Sequence, residues 1–385
     1  MPSSGPLPTS ASSLRAFFWT HALGQLVNGR LGEFAGPTRI IFIGAVGSVA
    51  ANLLISLQSS LWIMAVVWGI NGYFQSMCWT PGIAALARWW PGASRGFASG
   101  FATAFSGFGQ CGVTLAVAAA FTLFPDMGWQ AAFVVPMAFP LVFAFVFLAL
   151  AKDSPADCGL PQYQESDPQR SSAERELKEL ERTHGVLYPY KYLLYNKMLA
   201  IWVFIAFMVG LVRFGLVTWV PLYFVQEFGM DISAGLVGSV ALPLGMAAGS
   251  LSVPSLTDRF CPNNRLVGVI ASCCVAVASI AALCLLGPAA VEHFAFVEVA
   301  LFFAGFSVYA IEGLLWTFAA DVGGRVFTGT ASGILNCSVY LGAACQSLFY
   351  GALLESVGWS TVIASMAALC ALVGAVAAIS SRRLG

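Results

Sequence analysis

Two charged side chains lie inside long apolar runs of the sequence. Arg213 lies within residues 195–224, and Glu312 lies within residues 293–319. A cation in such a run costs at least about 3 kcal/mol on insertion scales, so Arg213 should face a cavity or a partner. A guanidinium fork binds two oxygens, which suits a phosphate or a carboxylate. Arg213 is therefore a candidate ligand for an anion, with a structural ion pair to Glu312 as the alternative.

Glu312 itself fits either of two roles. A carboxylate in an apolar run is costly unless it is paired or protonated, so it is a candidate proton-coupling site or the counter-ion of Arg213. His21 and Gln25 are four residues apart and share one helix face. They form either a pore-facing pair or a hydrogen bond between helices.

Signatures of enzyme chemistry do not stand out. The ten cysteines lie mostly in apolar runs, without a CxxC pair or a Cys/His cluster. No nucleophile–base pair or phosphate-binding loop is evident. The sequence therefore predicts no enzyme, no catalytic residue, no metal site and no cofactor.

The composition explains why buried charges are informative here. Only 36 of the 385 residues are charged, which is 9% against about 25% in a soluble domain, and 58% are hydrophobic. This excludes an ordinary soluble enzyme and a disordered chain. The net charge of zero gives no indication of nucleic-acid binding. A polytopic protein in a lipid bilayer remains.

Long apolar runs without period-two alternation predict membrane helices rather than a β-barrel. We expect an all-α protein with eleven spans, at residues 13–29, 40–57, 60–86, 96–124, 129–151, 195–224, 232–256, 265–287, 293–319, 327–354 and 359–381.

Lys and Arg fall on alternate connections, which makes that side cytoplasmic. The opposite connections, among them 288–292, carry no Lys or Arg. Residues 152–197 hold 15 of the 36 charges and include a cytoplasmic linker. The predicted organisation is a polar tail (1–12), a five-span bundle (13–151), the linker (152–194) and a six-span bundle with a cytoplasmic C-terminus (195–385), in an inner or equivalent cell membrane.

The two apolar blocks repeat each other in order. Gly96-Phe-Ala-Ser-Gly100 recurs as Gly329-Thr-Ala-Ser-Gly333, and Trp129 recurs as Trp359. Glycines at four-residue spacing let helix backbones approach closely and slide. The repeat favours two pseudo-symmetric bundles that rock against each other.

Charged turns recur at a similar offset, with Glu33 matching Asp258. Each carboxylate lies at the cytoplasmic end of a helix pair, where it can hold one conformation by pairing across helices. The predicted conformational latch comprises Glu33, Arg39, Asp258, Arg259 and Arg265.

Longer motifs carry a family resemblance over about residues 13–381. Gly29–Arg39 resembles the loop signature of the major facilitator superfamily. Gly72-Tyr-Phe-Gln75 through Pro81, Asp153–Pro161 and Arg213-Phe-Gly215 through Pro221 resemble the organophosphate:phosphate antiporters. This family includes glycerol-3-phosphate and hexose-phosphate carriers and a sugar-phosphate sensor.

The resemblance implies a major-facilitator fold of twelve helices in two bundles. The equivalent of family helix 1 is missing here, so we expect either a truncated chain or a true eleven-span protein. Arg213 matches the phosphate-binding arginine of family helix 7. Tyr340 matches a family tyrosine, and Asn336 one turn earlier is a lining candidate, as are Gln75 and Trp79. The family's helix-2 lysine position reads Gln25, and its helix-5 histidine position reads Ser106.

These features lead to a secondary transporter that works by alternating access. A sugar or glycerol phosphate exchanged for phosphate is the expected substrate. A proton-coupled symporter for a sugar acid or other organic anion is the alternative. A transporter-like sensor and an inactive fragment remain open. The chain is expected to act as a monomer.

Overall fold

The computed structural model describes residues 8–91, 94–161, 168–286 and 294–382, and within them it contains helices and no strand. The α-helices in this part of the chain are α1 (Pro8–Ala35), α2 (Pro37–Ser56), α3 (Leu61–Trp89), α4 (Arg95–Leu123), α5 (Ala131–Val134), α6 (Ala138–Leu150), α7 (Pro168–His184), α8 (Tyr188–Leu194), α9 (Lys197–Glu227), α10 (Ile232–Gly238), α11 (Ala241–Phe260), α12 (Leu266–Leu286), α13 (Phe294–Gly323), α14 (Thr328–Val357) and α15 (Trp359–Ser381).

The predicted all-α fold is confirmed, and each of the eleven apolar runs contains helix. Among the described residues, nine helical segments are long and apolar enough to cross a membrane. α1 and α3 have the length but are more polar, so the count of eleven spans stays a prediction. Residues 1–7 of the predicted tail and the connection 288–292 lie outside the described residues.

Two predicted spans are broken where the local sequence opposes a continuous α-helix. A 3-10 turn at Val135–Met137 separates α5 from α6, because Pro136 has no N–H to donate. α10 ends at Gly238, and α11 begins at Ala241. The α1–α2 turn is equally local: Gly36 takes a positive φ of 90° and Pro37 starts α2.

Helix contacts repeat the sequence duplication. α1 packs on α3, and α2 packs on α3 and α6 in the first bundle (α1–α6); α11 packs on α13, and α12 packs on α13 and α15 in the second bundle (α9–α15). α9 packs along α14, where the backbones of Gly342 and Phe207 approach too closely for a side chain at 342. The repeat mate Gly109 on α4 has no described atom within 4 Å of an added Cβ. Within the described part of the first bundle, α9 has no counterpart.

The bundles meet along α1 against α14 and along α4 against α11 and α13. Glycines make this approach possible. The backbones of Gly29 and Gly329 touch each other, and Gly100 lies against the backbone of Ser250. These close contacts lie towards one end of the molecule, where the α1–α2 turn, the α11–α12 turn and the linker helices α7 and α8 also lie. We call this end the linker face.

Candidate functional site

A polar cavity of about 200 Å³ lies between the bundles. Helices α1, α3 and α4 of the first bundle line one side of the cavity, and helices α9, α13 and α14 of the second bundle line the other side. Its lining combines two charges with hydroxyl, amide and ring groups, from His21, Gln75, Cys78, Trp79, Ser106, Arg213, Glu312, Asn336 and Tyr340.

Arg213 is contacted on several sides in this cavity. Its Nη1 donates to Oε1 of Glu312 at 2.7 Å, and its Nη2 donates to the hydroxyl of Tyr309. The guanidinium carbon lies 4.6 Å from the ring centroids of both Phe214 and Tyr309. The side chains of Arg213 and Glu312 are 12% and 5% exposed. The pairing that the sequence offered as an alternative is therefore present, and it lies in the cavity wall.

The pair leaves the cavity formally neutral and incompletely hydrogen-bonded. Oε2 of Glu312 and Nε1 of Trp79 are buried and have no hydrogen-bond partner among the described residues. Buried polar atoms in folded proteins are nearly always satisfied, so each such atom calls for water or ligand. An anion that enters could bind Arg213 in place of Glu312.

The His21–Gln25 pair is a hydrogen bond within α1 that also reaches α3. Gln25 Nε2 and His21 Nε2 lie 2.7 Å apart, and Thr80 donates to Oε1 of Gln25. His21 also stacks on Tyr340 with ring centroids 3.6 Å apart. His21 thus lines the cavity as one predicted alternative has it. Gln25 does not line the cavity. Its hydrogen bond to Thr80 joins α1 to α3, which is the predicted alternative of a hydrogen bond between helices.

The remaining candidates lie in the same cavity wall. Trp79 meets Trp316 edge to face at 5.5 Å, which joins the two bundles beside the cavity. Ser106 lines the cavity on α4, and Asn336 is buried on α14. Tyr309 was missed by the sequence reasoning, although it precedes Glu312 by three residues and so shares its helix face. Cys78, also in the lining, gave no signal beyond its neighbour Trp79.

The predicted latch residues pair in a crossed pattern. Oε1 of Glu33 on α1 accepts the N–H of Thr330 at 2.9 Å, at the start of α14. Oδ2 of Asp258 on α11 accepts the N–H of Phe97 at 3.2 Å, at the start of α4. Carboxylates are stabilised at helix N-termini by free N–H groups and the helix dipole. Each repeat therefore supplies the carboxylate that holds the glycine-rich helix start of the other.

Arginines complete each latch, but not all of those predicted. Arg265 Nη1 donates to Asp258 at 2.6 Å, and its Nε donates to Asp321 at 2.6 Å. Arg30, which was not predicted, pairs with Glu33 and with Glu181 of the linker. Burial raises the pKa of Glu33, and its hydrogen bond and charge interaction with Arg30 oppose that rise.

Arg39 and Arg259 show no latch contact among the described residues, so their assignment to the latch stays a prediction. Both side chains are exposed. Arg39 lies beyond the reversal at Gly36, and Arg259 is one residue from Asp258, so it points away from its neighbour on the helix. The interaction described for Arg259 is with the adjacent ring of Phe260, 5.5 Å away.

Two bundles with a duplicated sequence, a cavity between them with an ion pair in its wall, and a bilayer-spanning composition define a multi-pass membrane transporter. Comparison with known proteins gives the family. The Major Facilitator Superfamily model matches residues 7–347, and the chain belongs to this superfamily.

Curated relatives narrow the comparison. The phosphoglycerate transporter protein of Salmonella typhimurium is 26% identical over 349 residues, covering 88% of this chain and 73% of that protein. The glycerol-3-phosphate transporter of Bacillus subtilis is 25% identical over 358 residues, covering 90% and 78%. The membrane sensor protein UhpC of Escherichia coli is 24% identical over 358 residues, covering 91% and 79%. The chain is thus related to organophosphate transporters, in a family of transporters rather than enzymes.

A solved structure agrees on the fold. The human organic anion transporter MFSD10 superimposes with a TM-score of 0.65 at 15% identity, covering 96% of this chain and 83% of that one.

Proposed function

We propose that this chain carries a small phosphorylated organic anion across the membrane by alternating access. The observation that carries the proposal is Arg213, whose largely buried side chain lies in the wall of the cavity between the bundles and is 12% exposed. Relatives named for phosphoglycerate and glycerol-3-phosphate transport support a phosphate ester as the anion. The carrier acts as a monomer, since one chain supplies both bundles.

Substrate binding exchanges the partners of Arg213. The anionic group takes the guanidinium fork in place of Glu312, while Tyr309 keeps holding the arginine through its hydroxyl. Asn336, Tyr340, Ser106 and Trp79 offer polar and ring contacts to the rest of the substrate.

Access to the cavity alternates by rocking of the bundles along α1–α14 and α4–α11. The linker face is closed in this structure by the crossed carboxylate contacts of Glu33 and Asp258. The distribution of Lys and Arg supports a cytoplasmic linker face, with the linker and C-terminus on that side. In exchange against inorganic phosphate, the carrier has an anion bound each time it changes between its two open states.

The Arg213–Glu312 pair favours a second candidate, a proton-coupled symporter of an organic anion. A proton taken up by Glu312 removes the carboxylate that competes for Arg213, so proton and anion would bind together. The pair distance of 2.7 Å is the observation behind this candidate.

Uptake of labelled glycerol-3-phosphate into phosphate-loaded proteoliposomes tests the proposal. Arg213→Gln should abolish uptake, Arg213→Lys should keep only part of it because an ammonium lacks the fork, and the exposed Arg382→Gln should match the parent. Dependence on internal phosphate supports exchange, and dependence on an imposed proton gradient supports symport. Unchanged kinetics in Arg213→Gln would refute the role of Arg213. Binding without flux would overturn transport in favour of a sensor, the role named for UhpC.

A further inference from the structure

A second cavity, of about 400 Å³, opens on the linker face away from the central one. Its volume falls within the range of small-molecule sites, which is about 300–1,000 Å³. α1, α3, α7, the residues after α6 and the α13–α14 connection all contribute to its wall. Its charged lining residues are Arg30, Arg88, Lys178, Arg325, Glu33 and Glu181.

The lining carries excess positive charge. Among the described lining residues, four cations stand against two carboxylates, a formal balance of +2. Both carboxylates are already engaged by one cation, because Arg30 pairs with Glu33 and Glu181. Arg88 donates to a backbone oxygen, that of Glu33 at 3.3 Å, and Lys178 is exposed on the linker helix. Cations that converge on a concave surface attract a multiply charged anion.

The cavity depends on the closed arrangement of the linker face. Arg30 and Arg88 come from the first bundle, Lys178 from the linker, and Arg325 from the second bundle. A rocking motion that separates α1 from α14 would pull this lining apart. A ligand that binds all three parts therefore stabilises the state in which they are together.

We propose that this linker-face cavity binds a phosphate-type anion, either free phosphate or a phosphate ester or the phosphate of a lipid headgroup, and thereby stabilises the closed linker face. The site is separate from the transport cavity, so it would regulate the carrier rather than select the substrate. Its position between both bundles and the linker makes occupancy and closure mutually reinforcing.

The test uses the full chain in detergent with Arg213→Gln and Glu312→Gln, which disables anion binding in the central cavity without leaving a lone buried charge. Inorganic phosphate is titrated against chloride at equal ionic strength, and the thermal midpoint is followed. We expect a saturable rise in this background. Adding Lys178→Gln with Arg88→Gln should weaken the apparent affinity at least about threefold, as expected for losing charge-assisted hydrogen bonds. The matched linker substitution Lys191→Gln should not.

Each outcome decides something. An absent rise, or one unchanged by the exposed substitution Lys178→Gln and by the pair, overturns the site. An effect that is present in the parent but absent in the Arg213/Glu312 background overturns this second site and leaves the transport proposal standing. In nanodiscs, an effect that is equal in phosphatidylcholine with and without phosphatidylglycerol identifies a soluble ligand. An effect lost with phosphatidylglycerol shows that headgroup phosphate occupies the same site.

Discussion

Replacing Glu312 with glutamine keeps the shape of the central cavity but removes the charge that faces Arg213. At 2.7 Å and an effective dielectric of about 20, the attraction is roughly 6 kcal/mol before desolvation is subtracted. Removing one partner of a buried pair typically costs about 3–5 kcal/mol, because the other charge is left alone. At roughly 2 °C per kcal/mol for a large chain, the thermal midpoint should fall by about 6–10 °C.

The functional readout separates the two proposed mechanisms. In an exchanger, Glu312→Gln removes a competitor for Arg213, so phosphate should bind more tightly while exchange persists. In a proton symporter, the same change should abolish accumulation driven by a proton gradient and flatten the pH dependence of uptake. The assay is counterflow and gradient-driven uptake in proteoliposomes from the same preparation.

The helix that carries Glu312 also supplies a control residue, Glu298. Glu298→Gln also removes a carboxylate from α13, but its residue does not line the central cavity. Combining Arg213→Gln with Glu312→Gln should cost less than the sum of the single changes, with a coupling of at least about 1.5 kcal/mol. A Glu312→Gln protein with the midpoint, anion affinity and pH dependence of the parent would refute the argument that this pair controls the site.

Three further outcomes are expected. Gly329→Ala places a methyl group against the backbone of α1. This overpacking should cost about 1–3 kcal/mol of stability and so lower the thermal midpoint. In Gly351→Ala, on the same helix, the added methyl group meets its nearest atom at 3.7 Å, so the midpoint should not change. Asp258→Asn should increase labelling of linker-face positions by a membrane-impermeant reagent, and Arg259→Gln should not; equal labelling would contradict the crossed latch. Burial raises the pKa of Glu33 in this closed state above the ordinary 4.5, so lowering the pH towards 4.5 should favour closure, measured as a shorter fluorescence-transfer distance across the linker face; Glu33→Gln should remove that dependence.

The sequence singles out Arg213 and Glu312 because membrane burial makes charge rare. Arg213 and Glu312 stand out in apolar runs, and the lipid environment forces such groups towards a partner or a cavity. Tyr340 and Ser106 came from motif positions and also lie in the wall. Tyr309 escaped notice because a tyrosine is unremarkable in an aromatic-rich helix, and only its geometry shows that it holds the arginine.

The latch was predicted in kind but not in partners. Sequence spacing identified both carboxylates and predicted pairing across helices, but it did not identify which groups they would contact. Arg259 is adjacent to Asp258, and a helix places adjacent residues on different faces. Arg30 lies three residues before Glu33, a spacing that would have favoured it over Arg39. The contact with Glu181 joins residues 151 positions apart, and no pattern within one segment encodes it.

In the crossed latch, the carboxylate of each repeat contacts the opposite bundle. If each repeat held its own helix start, one bundle end could loosen while the other stayed fixed. Because Glu33 holds α14 and Asp258 holds α4, both contacts span the boundary between the bundles, and separating the linker face breaks both. The two latches nevertheless differ in their third member. Arg265 also pairs with Asp321, which lies in the same bundle, whereas Arg30 also pairs with Glu181, which lies on the linker. The linker contact among the described residues joins the Glu33 side of the latch, so under the proposed mechanism a ligand or substitution that alters α7 would act on closure through Arg30.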